Sequence, residues 1–236
     1  MKYNIYLNVG DFDLHGLKLY GYPKVFSTLA YEHLKDTEQG VGVYIQDRYA
    51  WVLISMKIKI IRPLLSQEDL IGTTWYAGQR GPYYRREFEV CNEFCHLQGA
   101  SYSILMDMSD RKLYRSKELP FDPLQQKLIH LLSLNTSFKE EVELIDVANR
   151  QVLNSHLDVL GHTNHLRYLE FIYDAMTQEE IDEAKNFNTL ELFFQKEMLL
   201  GDEFKVSKGK LDDKLVFIIT NKTNNERSFT LVLSNE

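Results

Sequence analysis

The segment "DVLGHTNHLRYLEF", residues 158–171, sets a carboxylate and an imidazole four residues apart, with a glycine between them and an amide close behind. Asp158 supplies a proton acceptor, and His162 either donates or accepts near neutral pH. Asn164 stands where an apolar-periodic run begins. A helix starting there presents its positive dipole end and its first backbone N–H groups at that point. Gly161 opens backbone conformations closed to other residues and lets the chain approach closely. Such a set suits attack on a carbonyl. It offers a base, a donor for the carbonyl oxygen, and the N–H groups from Asn164 to Leu166 for the oxyanion that forms. Each residue also has a plain structural explanation. Asp158 alone forms a turn, His162 alone packs beside a helix start, and Asn164 is an obvious N-cap.

Hydrophobic periodicity supplies the elements that must hold this motif. "HLRYLEFIYDAM" places Leu166, Leu169, Ile172, Tyr173 and Met176 near one face of a helix. "TQEEIDEAK" opens a short second helix with a capping-box pattern at Thr177 and Glu180. "VELIDVANRQVL" precedes the motif as a strand. "NTLELFFQKEMLLGDEFKVSKGKL", "KLVFIITN" and "SFTLVLSN" follow as strands, the last two joined at the turn "KTNNER". The first half keeps the same order. "FSTLAYEHLKDTEQG", residues 26–40, predicts a helix with Leu29, Ala30, His33 and Leu34 on one side, capped by Ser27 or Thr28 and ended at Gly40. "WVLISMKIKIIRP" alternates Met56, Ile58 and Ile60 with Lys57 and Lys59, as a half-buried strand does, and stops at Pro63. "DLIGTTWYAGQ", "YYRREFEVCNE" and "GASYSILMDMSDRKLYR" read as further strands, with a turn at Ser109 and Asp110.

Helix-then-strands thus recurs at an offset of roughly 135 residues. Two fused copies of one α+β unit explain the recurrence, each a long helix packed on a curved antiparallel sheet. The boundaries this predicts are residues 1–117 for the first unit, 118–141 for a linker, and 142–236 for the second unit carrying the motif.

The chain has 236 residues, 44% hydrophobic and 26% charged, enough to bury a full core or two. A net charge of −7 argues against nucleic acid as a partner. The charge is uneven. Residues 48–117 hold 11 Lys and Arg against 7 Asp and Glu, a net of +4, and the rest carries −11. A locally basic region on an acidic protein suits an acidic partner. No apolar stretch approaches the roughly 18 residues that span a bilayer, and the first residues lack a signal-peptide pattern. The expectation is a cytoplasmic protein away from membranes. Cys91 and Cys95, without a second pair, make a poor zinc site and read as reduced thiols.

The motif resembles the Asp-x-x-x-His-x-Asn signature of hotdog-fold thioesterases. The doubled arrangement narrows the resemblance to the acyl-acyl-carrier-protein (acyl-ACP) thioesterases of bacteria and plant plastids. It covers nearly the whole chain. It rests on "FSTLAYEHL", "WVLISMKIKIIRP", "LIGTTWY", "RREFEV" and "ASYSILMDMSDRKLYR" in the first half, and on "DVLGHTNHLRYLEF" and "FFQKEMLLGDE" in the second. The resemblance implies two tandem hotdog units, the first supplying walls of a substrate tunnel. It implies hydrolysis of the thioester between a fatty acyl chain and the phosphopantetheine arm of acyl carrier protein, ending chain elongation in fatty acid biosynthesis. Carried over, the catalytic residues are Asp158, His162, Asn164 and Glu197, with no cofactor and no metal. Met198 falls where plant relatives carry a cysteine, so a cysteine nucleophile is not needed. Leu160 departs from the family, which often has Asn there, and His165 stands where a second Asn is common. Glu32 lies in the matching first-half helix, but no Asp-x-x-x-His precedes it.

Thioester hydrolysis needs an activated water or a carboxylate nucleophile, and a stabilised oxyanion. Glu197, amid the apolar strand "LFFQKEMLL", is the first choice for base or nucleophile, since burial beside an acyl tunnel makes a carboxylate a stronger base. Asp158 shares that role or orients His162, and His162 donates to the carbonyl oxygen or positions the water. Arg85, Arg86, Arg111, Lys112 and Arg115 are the expected contacts of the acidic carrier. Competing readings are an acyl-CoA thioesterase of the same superfamily and an acyl-binding module whose site Leu160 has degraded. A double hotdog contains its own pseudo-dimer, so monomer and homodimer both fit.

Overall fold

The computed structural model describes residues 2–36, 44–45, 48–116, 120 and 125–236. It divides into compact units Met1–Leu134 and Asn135–Glu236.

The first unit contains β1 (Lys2–Ile5), α1 (Gly21–Asp36), β2 (Tyr49–Arg62), β3 (Leu70–Arg80), β4 (Tyr83–Cys91) and β5 (His96–Asp107). These strands form an antiparallel sheet in the order β1-β3-β4-β5-β2. Register shifts at Leu53/Ser55 and Tyr76/Gly78 bend it. Phe26 and Leu29 of α1 are fully buried. They meet strands that carry glycine, where a Cβ on Gly99 would stand 2.9 Å from the Phe26 ring and one on Gly72 2.7 Å from Leu29. Those missing side chains let the helix lie close on the sheet.

The helix begins at Gly21, ahead of the predicted start at Phe26. Thr28 lies inside it, its hydroxyl donating to the Lys24 carbonyl at 2.9 Å, so neither Ser27 nor Thr28 is the cap. Pro23 accounts for the early start, because its fixed φ suits the first helical turn, where no N–H is needed. The predicted end at Gly40 lies outside the described residues.

Buried His33, on α1, accepts at Nδ1 from the Arg86 guanidinium at 2.6 Å. Burial, reinforced by the Arg86 charge, pushes its pKa down to about 4. The folded state therefore prefers neutral imidazole. The stability this contributes is present above the ordinary value near 6.5 and is lost as pH falls through 4, by roughly 3 kcal/mol. Thermal melts between about pH 7 and pH 4 check this. His33→Asn keeps an acceptor near Nδ1 and does not titrate, so its decline should be shallower. Parallel declines in both proteins would rule the effect out.

The second unit contains β6 (Ile145–Gln151), α2 (His165–Tyr173), α3 (Gln178–Ala184), β7 (Thr189–Phe194), β8 (Glu203–Leu211), β9 (Lys214–Asn221) and β10 (Glu226–Ser234). Its antiparallel sheet runs β7-β10-β9-β8-β6. Helix α2 lays Tyr168 and Phe171 against Phe229 and Phe204, with ring centroids 5.4 and 4.6 Å apart. These aromatics, with Leu169 and Ile172, are the buried face of α2, and Leu166 and Tyr173 are only half-buried. The helical run breaks after Tyr173, and α3 starts afresh at Thr177, whose capping box with Glu180 forms as expected.

Part of the expected linker is packed. Ile129 accepts from the Trp75 indole N–H at 3.0 Å in the first unit, and Phe138 packs against the Phe193, Val216, Ile218 and Val232 cluster of the second. Residues 118, 119 and 121–124 of that stretch lie outside the described residues.

Candidate active site

The sequence-predicted residues fall on two segments of the second unit: the turn at 158–164 leading into α2, and the connection at 195–202 between β7 and β8. The segments meet as an isolated antiparallel bridge between His162 and Leu199. Thr163 fixes the crossing, its N–H and its hydroxyl both donating to the Met198 carbonyl, at 2.9 and 3.0 Å.

Within the turn, Asp158 Oδ1 accepts from the N–H groups of Leu160 at 2.8 Å and His162 at 3.3 Å. The Asp158 N–H donates back to the His162 carbonyl at 2.8 Å. Asp158 therefore orients His162 through the backbone. Gly161 has φ +76°, and nothing lies within 4 Å of an added Cβ. The left-handed backbone, and no close approach, is what requires glycine there.

The turn brings His162 Nε2 to 3.3 Å from Glu197 Oε2, with side chains 13% and 52% exposed. That nitrogen is buried, and among the described residues it has no partner in hydrogen-bond alignment, the Glu197 contact lying off line. A buried polar atom left this way costs stability, and such groups concentrate where chemistry is done.

Two expectations are corrected here. Glu197 is not on an apolar strand. Strand β7 ends at Phe194, and the N–H groups of Gln195 and Lys196 both turn to the Ser228 carbonyl. In "LFFQKEMLL", Met198 points inward at 0% exposure while Leu199 and Leu200 are exposed, so the run is a strand end followed by a loop. Two of the N–H groups expected to hold the oxyanion, those of Asn164 and Leu166, are also engaged. Asn164 Oδ1 caps the Leu166 N–H at 3.0 Å, and the Asn164 N–H donates to the His156 carbonyl at 2.8 Å. The donors Asn164 offers are those of its Nδ2 amide.

His165 stays neutral, as burial pushes its pKa down to about 4 against the pull of Asp158. His156 accepts the Leu153 N–H at Nδ1 and packs edge-on to Phe171. Sequence reasoning missed Thr163 and Tyr168. It also missed the Asp202–Asn221 pair, in which Asp202 Oδ2 accepts from the Leu199 N–H at 2.9 Å and the Asn221 amide at 2.7 Å. Buried polar residues in "HTNH" and "ITNK" were the available signal.

Of the basic residues expected to meet a partner, Arg85 is buried against Glu87 at 2.6 Å, and Arg86 is held by His33, so neither is offered outward. Arg111, Lys112 and Arg115 are exposed on and beside the turn that follows β5. Glu32 is half-buried near Lys35. Cys91 is exposed and Cys95 buried, both as free thiols, and burial pushes Cys95 up to about 11.

A helix on a curved antiparallel sheet, built twice in one chain, is the double hotdog architecture. The N-terminal domain model of the acyl-ACP thioesterases matches residues 1–119, and the C-terminal domain model matches residues 139–235. The chain belongs to the acyl-ACP thioesterase family and is a thioester hydrolase. In structure it is similar to an acyl-ACP thioesterase from Bacteroides thetaiotaomicron VPI-5482, with 18% identity, a TM-score of 0.79, and coverage of 100% of this chain and 97% of that one. It is also similar to the 12:0-ACP thioesterase from Umbellularia californica, with 13% identity, a TM-score of 0.76, and coverage of 99% and 96%. A comparison with curated proteins finds no match.

Proposed function

We propose that this acyl-ACP thioesterase releases free fatty acid at the His162–Glu197 pair of its second unit. The observation that carries the assignment is the 3.3 Å approach of a carboxylate to a buried imidazole nitrogen. In this reading Glu197 accepts a proton from water as the water oxygen attacks the thioester carbonyl carbon. His162 and the Asn164 Nδ2 amide donate to the oxygen that gains charge. The tetrahedral intermediate then collapses, the C–S bond breaks, and the departing sulfur takes the proton from Glu197. Free acid and the carrier's thiol remain. The thioether of Met198 has no nucleophilic role in this scheme. The Leu160 side chain cannot donate, so water placement falls to Glu197 and His162.

The assay is free-acid release from acyl-ACPs of stepped chain length, by wild type, Glu197→Gln and His162→Ala. Turnover reduced about a thousandfold in Glu197→Gln and about a hundredfold in His162→Ala is expected. Fully active variants would move the chemistry elsewhere, and faster hydrolysis of acyl-CoA than of acyl-ACP would change the substrate.

Exposed Arg111, Lys112 and Arg115 support docking of an acidic carrier on the turn after β5. Lys112→Glu/Arg115→Glu should raise KM for acyl-ACP about tenfold at low salt with kcat unchanged, and the gap should close as salt screens the surface. An unchanged KM at low salt would exclude this face. Among the described residues no helix is long and apolar enough to cross a membrane. The net charge of −7 disfavours nucleic acid as a partner, and our reading is a cytoplasmic enzyme, monomer or homodimer, acting away from membranes.

A further inference from the structure

We propose that Thr163 and Tyr168 are positioning residues that clamp the Met198 peptide and so set the approach of Glu197 to His162, a role that depends on the assignment of the reaction to that pair. Met198 directly follows Glu197. Its carbonyl accepts both donors of Thr163, the residue directly after His162, at 2.9 and 3.0 Å. The buried Tyr168 hydroxyl interacts with the Met198 backbone as well. Met198 is thus held through its carbonyl by the turn that carries the imidazole and is contacted by the helix that the turn starts.

The clamp is rigid. Thr163, Tyr168 and Met198 are 5%, 4% and 0% exposed. The Tyr168 ring is packed among Phe171, Phe194 and Phe229 at 6.5, 6.1 and 5.4 Å. Glu197 itself is half exposed. The N–H of that same peptide, on Leu199, donates to Asp202, so both polar atoms of the peptide that follows Met198 are held. The clamped peptide is the attachment nearest the carboxylate on its C-terminal side. A base displaced by a fraction of an ångström loses much of its rate, because proton transfer and attack require near-contact geometry.

Thr163→Val and Tyr168→Phe remove the bonding hydroxyls and keep the shapes. Each should lower kcat about tenfold to a hundredfold with KM nearly unchanged. Thr163→Ser, which keeps the hydroxyl, should restore most of the loss. In a Glu197→Gln background neither substitution should lower the residual rate further, because the group being positioned is gone. Folded Thr163→Val and Tyr168→Phe proteins with wild-type kcat would overturn the clamp. So would losses equally large in the Glu197→Gln background, which would mark a merely structural role. Wild-type turnover by Glu197→Gln and His162→Ala would instead remove the assignment of the site itself, and the clamp with it.

Discussion

Glu197→Gln should lower kcat about a thousandfold while KM stays within about twofold. Glutamine keeps the length and planarity of the side chain and removes its capacity to take a proton. With the side chain 52% exposed and lying in a connection beyond β7, the change should leave folding untouched. Surface substitutions of this kind stay within about 0.5 kcal/mol. Loss of rate at constant KM would identify Glu197 as acting in the transition state alone. A rise in KM with kcat preserved would mean that the carboxylate only binds substrate. His162→Ala should cost less, about a hundredfold, because the Asn164 amide remains as a second donor to the oxyanion. Single-turnover release of acid from one acyl-ACP separates these outcomes, since it isolates the chemical step from product release.

The order of elements was legible because periodicity records burial. Met56, Ile58 and Ile60 alternate with lysines, and β2 forms there. Thr177 and Glu180 spell a capping box, and α3 begins there. Asp158, His162 and Asn164 were legible as a group because a turn leading into a helix leaves a fixed spacing in sequence. Glu197 entered the candidate site by resemblance, yet its setting was misjudged. An apolar run does not tell a strand from a strand end followed by a loop, and only Met198 of its neighbours faces inward. The roles of the backbone N–H groups were hidden for a different reason. Whether the Leu166 N–H faces a substrate or its own cap depends on where Asn164 Oδ1 points, which composition does not record. Arg85 and Arg86 misled because charge is read as exposure unless a buried partner is known. Glu87 and His33, the partners in question, sit on a neighbouring strand position and on a separate helix.

Glu87 is a fully buried acid of the first unit. Glu87→Ala should destabilise it by about 3–5 kcal/mol. The Glu87 side chain is 0% exposed. Its Oε1 accepts from Arg85 Nε at 2.6 Å and its Oε2 from the Leu131 N–H at 3.1 Å. Arg85 in turn donates to the Leu132 carbonyl. Desolvation raises the pKa of Glu87, and Arg85 and the Leu131 N–H pull it back. Truncating the acid leaves a guanidinium buried without its counter-charge and an N–H without its acceptor. The cost is thus dominated by what remains, and a second change tests this. Arg85→Met/Glu87→Leu removes both charges, so urea denaturation should show most of the lost stability recovered despite the larger alteration. If the double variant is as unstable as Glu87→Ala, the pair is worth more as a bond than its desolvation costs. Proteolysis gives the local readout. Leu131 and Leu132 are tied to the sheet through this pair, so Glu87→Ala should expose that stretch to cleavage before the rest of the unit opens.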